Sequence, residues 1–113
     1  MIVCLAVTTD GLLGTRWGRA DRVAVADVRT SGIESWQEFD VGWGRLHDAG
    51  PEGQHHARVA QFLQQHRVEA VVAHHIGEGM QQMLGKMGIA LHMSPGPRAS
   101  DAALSVLGDH RRS

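Results

Sequence analysis

The chain alternates short apolar runs with polar, glycine-rich breaks, and the period of each run names its element. Ile2 to Val7 is a continuous apolar segment that stops at the turn-forming cluster Thr8-Thr9-Asp10-Gly11, the pattern of a buried strand followed by a loop. From Arg22 to Val28 the pattern alternates, with Val23 and Val25 on one face and Ala24, Ala26 and Val28 on the other. Ser31-Gly32 then turns the chain into a hairpin partner, Ile33 to Val41, in which Ile33, Ser35, Gln37, Phe39 and Val41 share a face. Gly42 to Gly53 carries four glycines and one proline and predicts a mobile loop.

Helical periods begin after that loop. Val59, Phe62, Leu63 and His66 fall at i, i+3, i+4 and i+7, the stripe of an amphipathic helix from about Glu52 to His66. Ala70 to Ala73 is a short apolar strand ending at His74-His75. Met80, Met83, Leu84 and Met87 mark a second helix, closed at Gly88 where a left-handed cap is expected. Ile89 to Met93 is a further strand, and Pro95-Gly96-Pro97 continues no element. Ala103, Leu104 and Leu107 predict a last short helix ending at Gly108, and residues 109–113 read as a flexible tail to a single domain, 1–108.

The order β, β, β, α, β, α, β, α fixes most of the topology. An antiparallel start is followed by crossover units, and right-handed crossovers place the first, fourth and fifth strands side by side. The expected fold is an α/β, ribonuclease H-like arrangement: a five-stranded mixed sheet of order 3-2-1-4-5, strand 2 antiparallel to the rest, flanked by three helices.

Bulk properties narrow the function. A formal charge of -1 argues against nucleic acid, whose binding requires a basic face. No run approaches the roughly 20 apolar residues that cross a bilayer, so no membrane is expected. One cysteine, Cys4, excludes an internal disulfide and a site made wholly of the chain's own thiolates; a reducing, cytoplasmic location fits. Eight histidines against two phenylalanines and no tyrosine make imidazole the side chain to follow.

In a sheet of this order the carboxyl ends of four strands share one rim, where open α/β sheets bind ligands. The segments leaving that rim carry His47, His55, His56, His74, His75 and His92, six of the eight histidines. Polar residues favour loops, which accounts for part of this enrichment. His74 and His75 cannot be equivalent, because neighbours at a strand end point to opposite faces. His75, nearer the glycine turn, is the expected ligand, and His74 is expected to pack under a crossover helix. Helices that begin near Glu52 and near Gly77 turn unpaired amides toward the rim, and Arg16 and Arg19 bracket Trp17-Gly18 in the loop after the first strand. Both features favour an anionic ligand. The methionine stripe of the second helix reads as core packing, and Cys4, inside the first strand, as a buried thiol.

Missing motifs exclude several chemistries. A ribonuclease H-like nuclease needs carboxylates on its central strands, and Ile2-Val3-Cys4-Leu5-Ala6-Val7 has none. There is no zinc-finger spacing and no phosphate-binding GxxxxGKS loop, and Gly77-Glu78-Gly79 is too short for a dinucleotide fingerprint. No serine, Ser94 included, has a base and an orienting acid at evident spacing. A binding protein rather than an enzyme is expected.

Three segments in this order, Trp17-Gly18-Arg19-Ala20, then Val68-Glu69-Ala70-Val71-Val72 leading to Ile76-Gly77, then Leu84 through Gly88-Ile89, resemble the dinitrogenase iron-molybdenum cofactor biosynthesis family. The resemblance runs from about Ile2 to Leu107 and implies binding of an iron-sulfur or iron-molybdenum type cluster, handed on to an assembly partner or target metalloenzyme. On that reading Arg16, Trp17, Gly18, Arg19 and Gly77 contact the cofactor, while His75, His74, His92, His55 and His56 are candidate metal ligands. Many relatives carry a histidine just before the aromatic residue, where this chain has Arg16. The His74-His75 pair stands where relatives have small residues, which shifts the expected metal site to that loop. The alternative is a divalent-metal sensor or buffer, in which His74 or His75 with His92 and one of His55 and His56 binds zinc or nickel.

Overall fold

In the computed structural model, which describes residues 1–46, 50 and 52–112, the two central strands are apolar on both faces because both faces are covered. β1 (Ile2–Ala6) pairs antiparallel with β2 (Arg22–Arg29) and parallel with β4 (Ala70–Ala73). β2 forms a hairpin with β3 (Gly32–Asp40), and β5 (Ala90–Met93) lies parallel to β4 on the far edge. The sheet order is β3-β2-β1-β4-β5, the ribonuclease H-like arrangement expected from the crossovers.

Strand alternation divides the interior into two layers. Val3, Leu5, Ala70 and Val72 face α4 (Ala99–Arg112), packing on Ala102, Ala103 and Val106. Cys4, Ala6, Val71 and Ala73 face the opposite layer, with Val59 and Leu63 of α2 (Glu52–Gln65) and Met80 and Leu84 of α3 (Glu78–Met87). Gly88 closes α3 at φ 74°, and Ile89 N–H returns to the Leu84 carbonyl at 3.0 Å, the left-handed cap its glycine predicts.

Three details depart from the sequence pattern. The segment from Gly42 is not loop throughout, because α1 (Trp43–Leu46) forms within it, while His47 and its neighbours 48, 49 and 51 lie outside the described residues. Tertiary packing overrides local composition here: Trp43 is buried edge-on to Trp17, ring centroids 5.2 Å apart, and to Phe62 at 5.6 Å. In β3, Ile33 and Phe39 do not share a face. A register shift at Asp27/Val28 sends Ile33 to the α4 layer and leaves Phe39 on the α2 side. Finally, α4 does not end at Gly108 but continues to Arg112. A glycine inside a helix costs about 1 kcal/mol relative to alanine, too little to end one whose earlier turns are packed.

Candidate functional site

Two backbone contacts pull the loop after β1 across the carboxyl rim of the sheet. Gly14 N–H bonds the Ala6 carbonyl at 2.8 Å, and Trp17 N–H bonds the His75 carbonyl at 3.0 Å. From the second contact the chain makes one 3-10 turn, Trp17–Arg19, with Trp17 buried and Arg16 and Arg19 exposed. The turn's far side is buckled to α2. His55, 2 % exposed, meets the Gly18 carbonyl through Nε2 at 2.9 Å and Arg58 through Nδ1 at 3.1 Å. A carbonyl only accepts and a guanidinium only donates, so this ring is the neutral tautomer with its proton on Nε2, and both nitrogens are engaged within the chain.

A cleft of ≈ 260 Å³ opens between this turn and the start of α3, walled by Arg16, Trp17, Gly18 and Arg19 on one side and His75, Gly77, Glu78, Gly79 and Met80 on the other, with His56 from α2. α3 begins here without a side-chain cap: Gly77 at its N-cap makes no such bond, so the amides of its first turn present partial positive charge to the cleft. The indole Nε1 of Trp17 is buried, with no hydrogen-bond partner among the described residues. An unpaired buried donor of this kind costs about 1–3 kcal/mol.

The candidate histidines separate sharply. His75 and His56 share the cleft. His55, one residue away on α2, turns inward and anchors the turn instead. His74 leaves β4 on the other face, and its Nδ1 lies 3.2 Å from the Ser94 carbonyl; it is exposed and does not pack under a helix. His92 pairs in register with Val72, on the α4 face, and so lies away from His75 as well. The set of His75 or His74 with His92 and His55 or His56 is therefore not brought together, and among the described residues no three histidine, cysteine or acidic side chains are grouped to hold a metal ion. All five cofactor-contact candidates, Arg16, Trp17, Gly18, Arg19 and Gly77, line the one cleft.

Glu78 and Gly79, expected on the rim as the start of a helix, also line the cleft, as does Met80, which the sequence marks only as core. The stripe alone does not separate His55 from His56, which fall four and three residues before Val59; only the packing of α2 shows which ring turns inward.

Fold and cleft define a small α/β domain with a basic, imidazole-bearing recess at the carboxyl rim of a mixed sheet. The sequence profile of the dinitrogenase iron-molybdenum cofactor family matches residues 1–108, and the chain belongs to that family. No curated protein matches it. Among solved structures it is similar to the protein PH0822, at 17 % identity over 96 % of this chain and 92 % of that one, with a TM-score of 0.73. It is also similar to TM1290 of Thermotoga, at 19 % identity over 95 % and 87 %, TM-score 0.70. The protein mj0327 of Methanocaldococcus jannaschii matches at 13 % identity over 96 % and 89 %, TM-score 0.67. At these identities the likeness is one of fold. No helix among the described residues is long and apolar enough to cross a membrane.

Proposed function

We propose that the chain is a carrier that holds an anionic metallocluster, of iron-sulfur or iron-molybdenum type, in the cleft beneath the Trp17–Arg19 turn and passes it to an assembly partner or target metalloenzyme. One observation carries this reading: His75 and His56 converge with Arg16, Arg19 and the uncapped amino end of α3 in a single recess. Imidazoles supply metal donors, and the guanidiniums and helix amides offset the cargo's negative charge.

The donor count favours a cluster over a bare ion. A structural zinc site takes four protein ligands, whereas the metals of a preassembled cluster already share bridging sulfides and can be held by fewer donors from a carrier. Two imidazoles at an open recess suit reversible loading, which a carrier requires and an enzyme's resident cofactor does not.

Anaerobic reconstitution with iron, sulfide and molybdate, followed by absorbance and metal analysis, tests the proposal. The expected product is coloured and holds iron and sulfide in fixed ratio to protein, with uptake lost in the His75→Ala/His56→Ala double variant. A colourless, metal-free product overturns it. Tight stoichiometric zinc or nickel binding without cluster uptake would assign the divalent-metal role instead.

A further inference from the structure

Arg16 and Arg19 border a second and larger concavity, a bowl of ≈ 800 Å³ that none of the described histidines lines. Its floor is Ala6 and Val7 at the carboxyl end of β1, and its far wall is α1 with Arg45. We propose that this bowl is a binding site for a small, non-aromatic polyanion, a molecule bearing two or more phosphate or carboxylate groups, separate from the histidine cleft.

Charge is the first argument. The lining carries the guanidiniums of Arg16, Arg19, Arg22 and Arg45 against the carboxylates of Asp21 and Asp40, in a chain whose net charge is -1. Arg22 and Asp40 neutralise each other: the guanidinium bonds Glu38 at 2.7 Å and Asp40 at 2.5 Å. Among the described residues neither Arg16 nor Arg45 is in an ion pair, and both are exposed. These two stand on different walls, one before the turn and one on α1, so two anionic groups on one molecule match them better than a single ion does.

Shape is the second. Small-molecule sites commonly enclose about 300–1,000 Å³, and this bowl falls in that range. Its walls are held by close approach that leaves no room for side chains. A Cβ on Gly14 would meet Ala6 Cβ at 2.8 Å, and one on Gly44 would meet the Arg19 carbonyl oxygen at 2.7 Å. The threonines Thr9 and Thr15 add exposed hydroxyls at the rim. Among the described residues no aromatic ring lines the bowl to stack on a nucleobase.

Titration calorimetry of the full chain with pyrophosphate and, separately, with citrate tests the inference. At least one should bind with a Kd below about 1 mM at low salt, weakening as ionic strength rises. Arg45→Gln should weaken that binding about 10-fold, the loss expected of one charge-assisted contact, and His75→Ala should leave it unchanged. Preference for pyrophosphate assigns a phosphorylated ligand and preference for citrate a polycarboxylate. If neither anion binds, or if binding survives Arg45→Gln and is lost in His75→Ala, the bowl is not the site. Arg45 is exposed, and an unchanged melting temperature confirms that its variant folds.

Discussion

His55 Nε2 donates to the Gly18 carbonyl across 37 residues of sequence, and this bond holds the Trp17–Arg19 turn against α2. Removing a buried, doubly bonded ring strands the Gly18 carbonyl and opens a cavity beneath the cleft wall. His55→Ala should therefore destabilise the chain by about 1–3 kcal/mol in urea unfolding. His56→Ala, one residue on and only half-buried, should change it by less than about 0.5 kcal/mol. Equal losses for the two would mean that the His55 bonds contribute nothing.

His74 and His75 should separate in the opposite sense. His75→Ala is expected to weaken cluster uptake by about 10 to 100-fold or more without moving the melting temperature of the empty protein. His74→Ala should leave uptake intact, because its ring sits on the α4 face by Ser94. Uptake measured by anaerobic metal analysis decides; loss in the His74 variant alone would move the site to the other face of the sheet.

Gly44 tests the packing of the rim. A methyl group there would lie 2.7 Å from the Arg19 carbonyl oxygen, and backbone cannot step aside as a flexible side chain can. Gly44→Ala should cost about 1–3 kcal/mol by thermal or urea unfolding, although alanine is the better helix former. A neutral or stabilising result would show that α1 can move off the turn freely.

Cys4 is wholly buried in β1, and desolvation pushes its thiol pKa well above the ordinary value, so almost no thiolate exists near neutral pH. Iodoacetamide at about pH 8 should leave the folded chain unlabelled and modify it once in denaturant, as read by intact mass. Fast labelling of the folded protein would require β1 to open locally.

Acid should loosen the β1–β2–β3 edge. The Arg29 guanidinium holds the Asp27 carboxyl below its ordinary range, and Arg22, with Trp36, does the same for Glu38. A depressed carboxylate pKa contributes stability that is full above the unfolded value and is lost as pH falls through the folded one. The contribution of these two pairs should thus be level above about pH 5 and decline below about pH 4. Asp27→Asn should flatten part of that decline in unfolding curves collected across the range; an unchanged profile would mean that the Arg29 pair is equally formed in the unfolded chain.

Much of this was legible in the residues. The unbroken apolar strands Ile2–Ala6 and Ala70–Ala73 announce two-sided burial, and the crossover lengths leave one sensible order for the sheet. Strand parity separated His74 from His75. What sequence could not display was long-range. Trp43 sits among glycines that read as loop, and only the rings of Trp17 and Phe62 explain its helix. Ile33 changes face because of a register shift that leaves no local trace. His55 and His56 share a helix and a chemistry, and their roles diverge because about 100° of rotation turns one inward and one out.

The cleft is stitched from three stretches that are remote in the chain: residues 16–19, the start of α2 with His55 and His56, and the exit of β4 through Gly79. The bond from Trp17 to His75 spans the whole of β2, β3 and α2. Loop-closure entropy for bringing these stretches together is therefore settled when the sheet forms, and an incoming ligand meets walls already in place. Peptides copied from any one wall carry no recess at all.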